Sequence, residues 1–386
     1  MKIKLINKIA KIGTDRFPAD YTVGAEVEAP EALMVRSTSL HDTEFNKELL
    51  AIARAGAGVN NIPLDKCAAE GIVVFNTPGA NANGVKELCL AALVLASRNI
   101  VGGIEWAKTL GNDGEDVAKA VEAGKSKFAG REILGKTLGV VGLGAIGGLV
   151  ANAARSLGMK VVGCDPYLTV QAAWSLSRSI EKADNYDQIY STADYITLHI
   201  PSTKDTKGII NKETIAKMKD GVRIINLARA DLVNAEDMRE ALESGKVAAY
   251  VTDFPTEKTL GMKNTVNIPH LGASTEESED NCAVMAADEL VEFLTTGNIK
   301  NSVNYPAVSI PHTGAARLCV CHKNVANMLS QITASVSARG LNIENLSNGS
   351  KGEYAYTIIE LSSALPVGLA DEVAAIENVI RVREII

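Results

Sequence analysis

Lys136-Thr-Leu-Gly-Val-Val-Gly-Leu-Gly-Ala-Ile-Gly147 is the stretch from which the fold of this chain can be read. Its apolar, β-branched run from Leu138 to Val141 reads as a buried strand, and glycines at 142, 144 and 147 break it. Small and apolar residues at helical spacing follow, through Val150, Ala154 and Leu157. A second apolar run from Lys160 ends at Asp165. Strand, G-x-G-x-x-G, helix, strand and acidic residue make the dinucleotide-binding βαβ unit. Gly142 permits the tight turn, Gly144 lets the backbone approach a pyrophosphate, and Gly147 lets the helix pack close to the strand. The free N–H groups and positive dipole end of the helix then meet the phosphate charge. Asp165 stands where a carboxylate accepts both ribose hydroxyls and repels a 2′-phosphate, and Pro166-Tyr167 supplies no arginine to receive one. These features favour NAD over NADP.

The rest of the composition narrows the class. With 386 residues the chain has room for two or three domains. Its net charge is −7, and no basic stripe invites a nucleic acid. No apolar run reaches membrane-spanning length, and the N-terminus alternates like a strand without a signal-peptide core. A cytoplasmic location is therefore expected. Six cysteines lie among apolar neighbours. Cys319 and Cys321 share one face of a strand, but no second pair completes a zinc set, so buried thiols and no metal are expected.

Before the dinucleotide unit, short strands at 32–36, 49–54 and 72–75 alternate with polar or glycine-rich turns, which predicts a small parallel, flavodoxin-like sheet. Arg36, Arg54 and the 77–81 turn should share the carboxyl edge of that sheet. The apolar pattern from Lys86 to Arg98 is either a core helix or a subunit interface, and it points to a homodimer or homotetramer. Residues 107–127, interrupted by three glycines, read as an exposed arm. After residue 165, strands at 195–200, 223–227, 247–251 and 266–270 alternate with helices, as in a doubly wound Rossmann sheet. A long helix from Glu276 to Thr296 returns the chain to the first domain. The expected domains are 1–97 with 283–306 for substrate, 98–282 for NAD, and 314–386. Residues 298–316 read as a linker, and the last seventy or so as an independent βαββαβ, ferredoxin-like module.

Three strand-end residues suit a cofactor-dependent hydride transfer. His270 can take a hydroxyl proton, and Arg229 can grip a carboxylate bidentately. Glu257 can hydrogen-bond the far nitrogen of His270 and fix its tautomer. Each also has a plain reading: a capped loop histidine, an arginine paired with Asp231 or Glu236, and an exposed glutamate.

Four motifs carry a resemblance. Arg54-Ala-Gly-Ala-Gly-Val-Asn-Asn, Gly139 to Gly147, Asn226-Leu-Ala-Arg229 and Ile268-Pro-His-Leu-Gly-Ala-Ser-Thr275 resemble signatures of the NAD-dependent D-2-hydroxyacid dehydrogenases, over residues 1 to about 305. The final module, with His322-Lys-Asn324 and Gly340-Leu-Asn342, is similar to amino-acid-sensing ACT domains. The resemblance implies Arg229, Glu257 and His270 as the catalytic set. It implies Ala145, Ile146, Asp165, Ile200, Leu227, Asp253, Gly272 and Ala273 as cofactor contacts beside Gly142, Gly144 and Gly147. Arg54 with Gly79, Ala80 and Asn81 would hold substrate, and His322, Asn324 and Asn342 would hold an effector. Together the two resemblances imply oxidation of 3-phospho-D-glycerate by NAD, with L-serine as effector. The rivals are glycerate, lactate or 2-hydroxyglutarate as substrate, or an NAD-sensing protein without activity. The chain departs from the family pattern at Ala230, which replaces a glycine, and at Glu257, which follows Asp253 by four positions and not five. Two further departures are Ala326-Asn327 for Pro-Gly and Gly314-Ala315 for a glycine pair.

Overall fold

The computed structural model describes residues 1–111, 114, 116–313 and 315–386; Gly314, one of the departures above, lies outside them. The chain forms two compact units, Met1–Asn81 with Glu276–Ile386, and Ala82–Thr275.

The first unit opens with a parallel sheet of β1 (Lys2–Leu5), β2 (Thr22–Gly24), β3 (Ala32–Val35), β4 (Ala51–Arg54) and β5 (Val73–Asn76), in the order β2-β1-β3-β4-β5. Strands β3 and β4 are covered on both faces, which is why they read as unbroken apolar runs. On one face the Glu276–Thr296 helix lays Cys282, Ala283, Ala286, Ala287 and Leu290 against the sheet. On the other, Leu40, Leu49, Ile62, Cys67 and Ile72 close a second core.

The second unit is a seven-stranded parallel sheet. Its strands are β6 (Thr137–Val141), β7 (Lys160–Cys164), β8 (Glu181–Lys182), β9 (Tyr195–Leu198), β10 (Val222–Asn226), β11 (Val247–Thr252) and β12 (Thr265–Asn267). Their order, β12-β11-β10-β9-β6-β7-β8, is that of a doubly wound sheet that reverses direction at β6. The apolar helix, Ala82–Ser97, belongs here and not to the first domain, because Cys89, Ala92 and Leu93 join the core beneath β6 and β10. The boundaries therefore fall after residues 81 and 275, earlier than the expected 97 and 282. Within the expected arm, helix Val117–Gly124 is largely exposed, and at its two borders Trp106, on the preceding helix Ile100–Ala107, packs on Phe128. Among the described residues no single helix is long and apolar enough to cross a membrane.

The chain ends, back in the first unit, with β13 (Ala316–Lys323), β14 (Ile343–Lys351), β15 (Tyr354–Leu361) and β16 (Val379–Ile385), and with helices Met328–Ala338 and Leu369–Ala374. The antiparallel order β14-β15-β13-β16 is the ferredoxin-like one. This module is not independent, contrary to the sequence expectation. Cys319, Cys321, Tyr356, Ile358 and Ile385 share a core with the Glu276–Thr296 helix. Nor do the described residues between 298 and 313 hang free as a linker. Tyr305 is fully buried, Ile299 bridges Val308, and the Asn304 amide bonds both Val74 N–H and the Ile72 carbonyl. The Asn304 side chain here supplements backbone pairing along β5, where Val303 N–H donates to the Val74 carbonyl and Phe75 bridges Ser302, a role composition alone does not reveal.

Candidate active site

The glycine loop follows β6 at the point where the sheet order reverses, the usual ligand crevice of an open parallel sheet. Gly142 has φ 89°, and a Cβ there would lie 2.5 Å from the His199 carbonyl oxygen. At Gly147 a Cβ would lie 1.9 Å from the Gly142 carbonyl oxygen. Gly144 caps the Ala145–Ser156 helix with no side-chain bond and faces open space. The arrangement leaves the helix N–H groups and positive dipole end directed at free volume, as a pyrophosphate requires. The Asp165 carboxylate accepts from Leu143 N–H at 2.9 Å and from Tyr167 N–H at 2.9 Å, so it is fixed beside the loop for a ribose. Beneath the loop, the His199 ring bonds the Thr197 hydroxyl at 3.0 Å, and burial pushes its imidazole down to about 4. A neutral His199 adds no charge there. Ile200 follows β9, and Leu227 lies buried after β10.

Arg229 is exposed at the carboxyl end of β10, and the fully buried Asn226 builds its turn. The Asn226 carboxamide donates to the Arg229 carbonyl at 2.8 Å and accepts from Ala228 N–H at 3.2 Å. Among the described residues no carboxylate pairs with Arg229. Asp231 accepts from Ser202, while Glu236 pairs with Arg239 and Lys258. Ala230 opens a short 3-10 turn in place of the family's glycine. His270 is also exposed, its ring 4.6 Å from that of Phe254, and its backbone N–H donates to the Asp253 carbonyl at 2.9 Å.

Glu257 does not join this group. It is exposed and lines a recess with Ala230, Asp231, Phe254 and Lys258, and among the described residues nothing bonds it to His270. Beside it, the Thr256 N–H donates to the Thr259 hydroxyl at 2.8 Å and closes a short turn that holds Glu257. The carboxylate that feels His270 and Arg229 is Asp253, only 1% exposed. One oxygen accepts from Gly272 N–H at 3.2 Å, and the other has no partner. Burial raises its pKa, against the opposing pull of Gly272 N–H and the His270 and Arg229 charges.

In the other unit, Arg54 and Asn76 are register partners at the ends of β4 and β5, so Arg54 and the turn bearing Gly79, Ala80 and Asn81 share one sheet edge. The Arg54 side chain lies over Gly56 and donates to the Arg36 carbonyl at 3.0 Å. Arg36 is paired with Glu279.

The three effector residues do not converge within this chain. His322 is buried, with its ring bonded to the Lys323 carbonyl and the Thr357 hydroxyl. Asn324 follows β13 and bonds the Gly352 carbonyl. Asn342 precedes β14, at the opposite end of the sheet, roughly 25 Å away along the strands. Asn226 and Phe254 escaped the sequence reading. A strand-end asparagine three positions before an arginine is a turn signal that could have found the first.

Residues 93–272 match the model of the D-isomer specific 2-hydroxyacid dehydrogenase, NAD binding domain. A hydroxypyruvate reductase of Thermotoga maritima is 39% identical over 276 residues, which cover 68% of this chain and 85% of that one. This chain belongs to the D-isomer specific 2-hydroxyacid dehydrogenase family. NAD is the cofactor of its matched domain, and the glycine loop with Asp165 fits it. A Bacillus subtilis D-3-phosphoglycerate dehydrogenase is 36% identical over 293 residues, covering 74% of this chain and 53% of that relative. This family member thus spans about half of that relative's length. A cofactor-bound 3-phosphoglycerate dehydrogenase structure from Entamoeba histolytica has a TM-score of 0.58 at 27% identity, covering 79% of this chain and 98% of that one.

Proposed function

We propose that this dehydrogenase oxidises 3-phospho-D-glycerate to 3-phosphohydroxypyruvate with NAD. The observation that carries the reading is an exposed imidazole and a guanidinium that no carboxylate among the described residues pairs with, both at carboxyl ends of the NAD-binding sheet. Bound NAD supplies the hydride acceptor. Arg229 holds the substrate carboxylate and polarises the reacting oxygen. His270 takes the hydroxyl proton on a ring nitrogen. Asp253, rather than Glu257, supplies the negative charge that favours the resulting imidazolium. Arg54 and the amides of the 77–81 turn take the phosphate. Relatives named for this substrate support the choice.

A second reading, reduction of hydroxypyruvate, is favoured by the Thermotoga relative, most of whose length is matched. Initial rates of NADH change across phosphoglycerate, glycerate, lactate, 2-hydroxyglutarate and the reverse reaction on hydroxypyruvate separate the two. The highest kcat/KM is expected on phosphoglycerate, and equal values on lactate overturn the choice. We further propose an ACT-type role for the final module with L-serine as effector, because its βαββαβ order suits that role. Calorimetry with millimolar serine that shows neither heat nor inhibition removes that role. A homodimer or homotetramer is the proposed assembly, tested by sedimentation.

A further inference from the structure

Along the Glu276–Thr296 helix, the exposed Asn281, the half-buried Met285 and the buried Glu289 line a recess of about 540 Å³. Lys300 and Asn301 close its far side. That volume lies in the range of small-molecule sites. Three carboxylates stand there, and two are already balanced. Asp288 is held by the Arg16 guanidinium at 2.7 and 3.1 Å. Glu292 accepts from the Asn298 amide at 2.9 Å and pairs with Lys300 at 3.4 Å.

Glu289 is the exception. It is 8% exposed, one oxygen accepts from the Asn301 amide at 2.7 Å, and the other is buried with no partner. A buried polar atom without a partner is costly, and native proteins keep few of them. We infer that this recess binds a small primary-ammonium ligand, with Glu289 as its counter-ion. The charges select the class. With Asp288 and Glu292 already paired, Glu289 is the one acid in the recess without a cation, so a single positive charge balances it once its proton is lost. An ammonium also brings three N–H donors, enough for Glu289 and the side-chain oxygens of Asn281 and Asn301. A quaternary ammonium has none.

Burial, and secondarily the Asp288 charge, push the Glu289 carboxyl up to about 8, while the Asn301 amide opposes the rise. Below that value an arriving ammonium must displace a proton, so affinity rises with pH. Gly79 and Ala80, from the turn assigned to the phosphate, also line this recess, so its test reads binding and needs no turnover.

The test is calorimetry on the full chain with methylammonium chloride, against tetramethylammonium and potassium chlorides, between pH 7 and 9. Methylammonium is expected to bind once per chain and to tighten by up to about tenfold per pH unit below the Glu289 titration. Glu289→Gln should weaken binding at pH 9 by about tenfold or more and remove its pH dependence. The exposed Asn281→Trp, which should not disturb folding, fills the mouth and should abolish binding. Absence of saturable heat at tens of millimolar overturns the proposal. So does equal binding of tetramethylammonium or potassium, or unchanged affinity in Glu289→Gln.

Discussion

His270 sits against Phe254 with its ring exposed, so removing the ring leaves little unfilled core. His270→Ala is therefore expected to retain the fold and NAD affinity while kcat falls by about 10²–10⁴. Steady-state rates with fluorescence titration of NADH check both. Asp253→Asn and Glu257→Gln separate the two carboxylates. The first should lower kcat by about tenfold or more, because a buried charge acts on the imidazolium through little solvent. The second should change kcat by less than about threefold, because Glu257 is exposed and, among the described residues, not bonded to His270. Glu289 gives a stability prediction with a definite sign. Its folded pKa, about 8, exceeds the ordinary 4.5, so the folded state holds a proton the unfolded chain has lost. Stability then falls as pH rises through that window, by at most about 1.4 kcal/mol per unit from this group, and levels above it. Glu289→Gln should flatten that slope in urea unfolding followed across pH. Arg229 and His270 were legible in the sequence because they follow apolar strands. Glu257 sits in a turn shaped by bonds between Thr256 and Thr259, which apolar periodicity does not report.

The βαβ element was the most legible part of the chain, since hydrophobic period, glycine spacing and the terminal acid all agree. Its glycines nevertheless do different work. Gly147→Ala would place a methyl against the Gly142 carbonyl, so the helix must move from β6, and a loss of roughly 1–3 kcal/mol is expected. Gly144→Ala meets nothing in the folded chain. It should leave the melting temperature nearly unchanged while weakening NAD, because the methyl lies where a phosphate approaches the backbone. Thermal unfolding beside NADH titration distinguishes the two, and equal NAD binding by Gly144→Ala would falsify the assigned approach. Elements held by single side chains were harder to read. Strand β2 is three residues long with a glycine end, and the stretch around Tyr305 is fixed by asparagine amides and one buried ring, which no periodicity reports.

At the scale of the molecule, an ionic cluster ties down the last module, which the sequence reads as independent. Arg317, on β13, is fully buried, and its Nε donates to Glu360 on β15 at 2.6 Å. Its remaining N–H groups reach the Thr296, Ile310 and Pro311 carbonyls and the Asn298 amide oxygen. His312 and the Thr313 N–H also bond Glu360. One guanidinium thus ties the module to the end of the long helix and to the segment that follows it. From sequence, Arg317 is one more strand arginine, and its burial follows only from which segments fold over it. Because both charges are out of water, removing one leaves the other uncompensated. Arg317→Met should lower stability by about 3–5 kcal/mol, whereas Arg317→Met with Glu360→Leu should recover much of that loss. Denaturant unfolding of both variants measures the coupling. A double variant as unstable as the single one would mean that the carbonyl contacts of Arg317, and not its charge, hold the module in place.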